Sequence, residues 1–314
     1  MTNMHTSIAK QLAGASVFLV LLGAGCTSTT TTNTTNITPP NTNSVNAVTN
    51  LQAPNANEVA VKIDPTAMPL DFPNSTLDAD VGDYVLAPTR AALDEAATEG
   101  ADNTTFIYYM AEVAEVGETA SVLTEITEEV TIPNGMIIPI LNGQTAEVGD
   151  TVLTWWQSGS GLTRGYVVAG GTPTQPMVRY LDVDTLGESE PEQLKADSFV
   201  VITDPWQAGT SIAVKNGSDY DHYQVLKVSG EKILAYGFAG KIKVIDKTDA
   251  KTMPLKPVVK VGDEVAVPFI GSYSDGTVTA VDEANGNIDA EVEFGGDKET
   301  DKYAYGSFIK STDL

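Results

Sequence analysis

The triplet Val-Gly-Asp opens three strand-like runs in this chain, at Val81-Gly82-Asp83, Val148-Gly149-Asp150 and Val261-Gly262-Asp263. The glycine spacings are 67 and 113, the second close to twice a usual interval. A degenerate copy, "AGTSIAVKNG" at 208–217, places Gly209 between them, and the spacings become 67, 60 and 53. Recurrence of this kind marks tandem copies of one supersecondary unit. The triplet has a simple physical account. Gly and Asp make a turn, the Asp side chain caps the local backbone, and Val begins the buried strand. It carries no catalytic meaning.

Each copy continues in the same way. A polar turn follows the opening strand: "SGSG" at 158–161, "NGSD" at 216–219 and "GSYSDG" at 271–276. The first copy inserts "RAALDEAATEGAD" at 90–102, rich in helix formers, which predicts a short helix or a mobile loop. A second strand is predicted at 108–116, 165–171, 223–230 and 276–283, and a third at 120–126, 176–183, 231–238 and 289–296. The Asn-Gly pair in "ANGN" at 284–287 is a two-residue hairpin signal. Short closing strands such as 197–202 and 305–311 end the copies. Because an isolated hairpin is marginal and closure removes edges, four or five short strands in ~50–65 residues predict a small closed or half-open barrel.

The pattern resembles Tudor and other SH3-like barrels. Besides the three Val-Gly-Asp openings, Trp156 and Phe269 stand at the aromatic position six residues after the Asp. Tyr108-Tyr109-Met110-Ala111 matches the second-strand element, and Tyr180, Tyr236 and Phe294 hold the third-strand aromatic position. The resemblance implies an all-β fold of tandem small SH3-like, or Tudor-like, barrels. Copies are expected at 78–140 with the helical insertion, 144–203, 206–257 (the degenerate one) and 259–314.

Tudor domains hold methylated cations in an aromatic cage by cation–π attraction. The resemblance points to Trp155, Trp156, Tyr166 and Tyr180, with Asp182 nearby, and to Phe269, Tyr273, Phe294 and Asp297. The first copy has Thr89 at the cage position, and the third has Lys215 and Asn216, so cages are incomplete in half the copies. In a strand, adjacent Trp155 and Trp156 point to opposite faces, one ring inward and one outward. These seven aromatics are the expected ligand contacts; a structural role for them is the competing reading.

The N-terminus reads as an address. Residues 12–25, "LAGASVFLVLLGAG", form a short apolar region after Lys10 and end at Cys26, the chain's single cysteine. That composition is a signal peptide at 1–25, too short to span a bilayer. Leu22, Ala24, Gly25 and Cys26 resemble a bacterial lipobox, although the family places Leu where this chain has Gly23. The resemblance implies acylation of Cys26 and attachment to a lipid bilayer. Each buried methylene contributes ~0.8 kcal/mol, so several chains hold firmly. Thr27 stands where an inner-membrane retention signal would carry Asp, which directs the expectation to the outer membrane of the cell envelope. Residues 26–58 hold few large apolar side chains and read as a disordered Thr/Asn-rich tether. Its end-to-end distance is ~30 Å.

Composition excludes several functions. With 42 acidic against 18 basic residues the formal charge is −24, which repels nucleic acid. One cysteine permits no internal disulfide, and two histidines, His5 and His222, cannot furnish a Cys/His zinc site. His222 could pair with Asp219 or Asp221, but a lone histidine in an acidic turn is read as a surface residue. The acidic runs 188–192 and 282–289 lack EF-hand spacing, so no metal and no cofactor is expected. No nucleophile elbow, P-loop or dinucleotide fingerprint occurs, so no catalytic residue is assigned. The leading expectation is a non-enzymatic, multivalent binding or adaptor lipoprotein for an extended peptide or glycan of the envelope. A structural spacer, with large interfaces between copies, is the alternative. A carboxylate-based hydrolase, which needs a deep cleft lined by two acids, is the third.

Overall fold

A computed structural model describes residues 63–314, apart from residues 126, 159–160, 184–185 and 188. The expected signal peptide, Cys26 and the expected tether lie outside the described residues. The fold is all-β, built from antiparallel sheets. Five strands fall in each of four segments of chain. The first holds β1 (Tyr84–Pro88), β2 (Tyr108–Glu115), β3 (Ala120–Glu125), β4 (Glu128–Pro133) and β5 (Ile138–Pro139). The second holds β6 (Thr151–Trp155), β7 (Leu162–Thr172), β8 (Gln175–Tyr180), β9 (Glu192–Gln193) and β10 (Val200–Val201). The third holds β11 (Ser211–Asn216), β12 (Asp219–Ser229), β13 (Lys232–Tyr236), β14 (Ile242–Asp246) and β15 (Ala250–Thr252). The fourth holds β16 (Glu264–Phe269), β17 (Ser272–Asp282), β18 (Asn287–Phe294), β19 (Asp297–Ala304) and β20 (Ile309–Lys310). The insertion after β1 is the helix α1 (Arg90–Glu99), whose N-terminus is capped by the Thr89 hydroxyl accepting from the Ala92 N–H.

Pairing follows one rule in every segment. The first strand pairs with the second and the fifth, the second with the third, and the third with the fourth. The third and fourth segments share a ten-stranded sheet, joined where Asp221 meets Ser272. Among the described residues no sheet closes on itself, which corrects the expectation of closed barrels. The fifth strand has only two residues in three of the segments, too short to reach around to the fourth.

The sequence triplet builds one turn four times. Gly82, Gly149, Gly209 and Gly262 have φ of +92°, +92°, +89° and +91°. Their N–H groups donate to the carbonyls of Val113, Val167, Val225 and Val278 at 2.8–2.9 Å. Those valines donate back to Asp83, Asp150, Thr210 and Asp263. The carboxylates of Asp83, Asp150 and Asp263 accept from the N–H three residues earlier, as the capping expectation required. Positive φ at the third position is the mark of a type II turn. The valine therefore sits at the second position of the turn and does not begin the strand. Val81, Val148 and Val261 are 63–66% exposed, a correction to the sequence reading. Near each bonded valine a β-bulge interrupts the pairing of second and third strands, bending the long second strand.

The first strands are buried on both faces. On β6, Val152 faces its own segment's core with Val167, Val178, Leu194 and Phe199, whereas Leu153 and Trp155 join the core of the first segment. On β11, Ile212 and Val214 face inward and Ala213 meets Ala266 of β16 at a shared apolar contact. Tyr166, Val168 and Leu181 of the second segment pack into the core of the fourth. Residues Ile63–Leu314 accordingly form one compact unit rather than separate beads.

A side chain at Gly262 would meet nothing within 4 Å, whereas one at Gly209 would meet Leu153 Cδ1 at 2.8 Å. Gly262→Ala should cost only the left-handed backbone penalty, about 1–2 kcal/mol. Gly209→Ala should cost more, because it also disturbs a contact between segments. Urea denaturation of the two variants checks the order.

Candidate functional site

The expected aromatic cage does not assemble. Trp155 is 3% exposed, with its ring centroid 5.2 Å from that of Tyr84 in the neighbouring segment. Tyr166 is buried edge-on against Tyr305 and donates its hydroxyl to the Glu283 carbonyl at 3.0 Å. Tyr180 is buried, and its hydroxyl accepts from the Gln157 N–H at 3.0 Å. Tyr273 is half-buried and donates to the Ser307 carbonyl at 3.2 Å. Trp155, Tyr166 and Tyr273 pack against neighbouring segments or strands and Tyr180 packs inside its own segment's core, so the structure does not bring these four rings together at the surface. Trp156, the residue after the end of β6, is 43% exposed.

The remaining expected contacts lie at the seam of the third and fourth segments. Half-buried Phe269 stacks against Phe294, 56% exposed, with ring centroids 5.2 Å apart. The chain then turns through Ile270, 58% exposed, to Gly271, which lies beneath Phe238, 65% exposed. A side chain at Gly271 would stand 2.8 Å from Phe238 Cβ. Two of the turn residues are strained: Ile270 has φ +46° and Ala239 φ +55°. Positive φ at a β-branched residue is an outlier, and such strain gathers at functional surfaces. Phe238 and Ile270 were missed in the sequence, where Phe238 ended the third strand expected at 231–238 and Ile270 stood just before the turn at 271–276.

A polar node sits where the second, third and fourth segments meet. Buried Arg164 donates Nη2 to Asp182 Oδ1 at 2.7 Å, Nε to Asp182 Oδ2 at 3.0 Å and Nη1 to the Tyr305 carbonyl at 3.1 Å. Its backbone N–H adds a fourth bond, to Asp182 Oδ2 at 3.0 Å. Burial alone would raise the Asp182 pKa, but the guanidinium outweighs it and holds the carboxyl below its ordinary value. His222 was expected at the surface with Asp219 or Asp221. Instead its Nε2 meets the buried Ser211 Oγ at 3.1 Å, and its ring stands edge-on to Tyr273 at 5.6 Å. Burial and the nearby Arg164 cation push His222 down to about 4, against the pull of Asp182. Ser, His and Asp thus meet in space, yet Asp182 is engaged by Arg164 and Ser211 is sealed from solvent, so they lack the geometry of a nucleophilic triad.

Two lysines of the third segment reach into the first. Lys227 donates to the carbonyls of Asn134 and Ile137 at 2.6 and 3.3 Å, and burial lowers its pKa to about 8. Lys241 donates to the carbonyls of Asn103 and Thr104. In the acidic run after β17, Asp282 accepts from Asn285, and Asp289 pairs with Lys302 at 2.7 Å. Among the described residues no three His, Cys, Asp or Glu side chains are grouped to hold a metal. Nor is any helix among them long and apolar enough to cross a membrane. A groove of about 430 Å³, lined by Ile138, Leu141, Leu153 and Val200, carries one acid, Asp78. A second of about 380 Å³, lined by Met253, Pro254, Leu255 and Ile309, carries Asp313. The hydrolase reading needs two acids in one cleft.

No protein-family model matches this chain, and no curated protein matches it.

Arg164→Met should destabilise the chain by about 3–5 kcal/mol, since it leaves a desolvated carboxylate unpaired. Adding Asp182→Leu should recover much of that loss. Chemical denaturation of the single and double variants provides the check.

Proposed function

We propose that this chain is a lipid-anchored protein of the cell envelope, held by acylated Cys26 in the outer membrane. It acts as a non-enzymatic binding adaptor for an extended peptide or glycan, and its four segments are SH3-like units. The five-strand order, repeated four times around one turn geometry, supports the SH3-like reading. The observation that carries the binding role is the set of exposed apolar side chains Phe238, Ile270 and Phe294 around half-buried Phe269, beside the strained residues Ala239 and Ile270, with Trp156 as a separate exposed ring. Large apolar side chains grouped on a solvent-facing surface are characteristic of interaction sites. Aromatic faces stack on sugar rings and on peptide side chains alike.

The spacer alternative keeps one specific support: the segments share apolar cores, which makes the array a rigid body. An aromatic cluster left outside those cores is what separates the two readings. The double variant Phe238→Ser/Phe294→Ser removes only exposed rings. It should reduce retention on native envelope preparations at least about tenfold, with an unchanged thermal midpoint. Unchanged retention would favour the spacer. For the anchor, Cys26→Ser should move the protein from the membrane to the soluble fraction and abolish labelling by radioactive palmitate.

A further inference from the structure

We propose that His222 is an acid-sensitive latch on the junction of the second, third and fourth segments. The junction contains one anion for two basic groups. Asp182 is committed to Arg164 through three side-chain contacts and one from the backbone. The amide Nε2 of Gln224 lies at the edge of the same carboxylate, 3.5 Å from Oδ2. A proton on His222 therefore adds a second cation beside Arg164, and the two share the single carboxylate of Asp182.

Burial and the Arg164 cation outweigh the pull of Asp182, so the groups facing His222 hold that charge only in part. From β11 it meets the Ser211 hydroxyl. From β17 it meets the edge of Tyr273, whose hydroxyl is already spent on the Ser307 carbonyl, and the Gly271 carbonyl takes the His222 backbone N–H. From the second segment Arg164 and Asp182 act on it electrostatically, and Asp182 lies against the same face of β12, 3.5 Å from Gln224 Nε2. On its own strand the adjacent Asp221 points to the other face, where it accepts from Asn216 Nδ2 and Ser272 Oγ. Protonation strains the contacts that dock β7 and the Asp182 loop onto β12 and β17. The segments separate there, and Tyr166, Leu181 and Tyr305 lose their cover.

The sign follows from linkage. The unfolded or undocked chain binds the His222 proton near pH 6.5, whereas the docked chain binds it only near pH 4. Between those values the open form holds more protons, so docking weakens as pH falls through the window. At pH 4.5 the opening equilibrium should rise about fiftyfold to a hundredfold over pH 7.5 from this group alone.

The test uses the full chain, in which His222 is the histidine that lies beyond Cys26. An imidazole NMR titration should show the His222 ring, assigned by its loss in His222→Gln, titrating near 4. Hydrogen exchange, corrected for intrinsic rates, should accelerate at β7, β12 and β17 between pH 7.5 and 4.5 in the wild type. In His222→Gln it should accelerate far less. A native His222 that titrates near 6.5 would overturn the proposal, even if the variant failed to fold. Identical pH dependence of exchange in the two proteins would overturn it as well.

Discussion

The structure depends on strands that are covered on both faces. A sheet that meets water on one side alternates oily and polar residues, and its copies can stand apart. Here β6 is buried along its whole length, and β11 and β16 are buried through their centres. One face of each closes its own small core and the other meets a neighbouring segment. Removing a segment would uncover apolar surface on at least two others. That condition binds the four segments into one body and consumes most of the aromatic side chains as packing.

The polar contacts between segments obey the same constraint. A seam buried between sheets cannot leave charges to water, so each buried cation needs a defined acceptor. Arg164 has a carboxylate and a carbonyl, and Lys227 has carbonyls alone, which is why burial draws its pKa downward. His222 stays neutral because burial and the Arg164 cation outweigh the pull of Asp182. The junction is thus specific in its pairing and sensitive to an added proton. The seam between the third and fourth segments differs, because there the turn residues Ala239 and Ile270 are held in strained conformations with their apolar neighbours facing solvent.

Legibility in the sequence tracked how local the governing physics was. The turn was readable because Gly and Asp act within four residues: only glycine suits φ near +90°, and the carboxylate bonds a backbone three positions away. α1 was readable from its helix formers. One inward and one outward ring at Trp155 and Trp156 was expected, and Trp155 is buried while Trp156 is exposed. The exposure of Val81 was not readable, because it depends on the turn type rather than on the residue. The burial of Tyr166 and Tyr180 was not readable, because a ring looks the same in sequence whether it is covered or not. His222 lies 40 positions from Asp182 and 11 from Ser211, and nothing local announces that they meet.

The sequence by itself determined the all-β class, the four-fold recurrence of one turn and the acidic character of the chain. These follow from backbone sterics and side-chain charge, which are properties of short windows. Only the tertiary structure decided that the sheets remain open and that the segments merge into one unit. It also decided that Arg164, Asp182 and His222 share a junction, and that Phe238 and Ile270 stay outside the cores. Those outcomes rest on which face of each strand finds a partner, and a strand's second face is settled by packing across segments, not by the residues beside it in the chain.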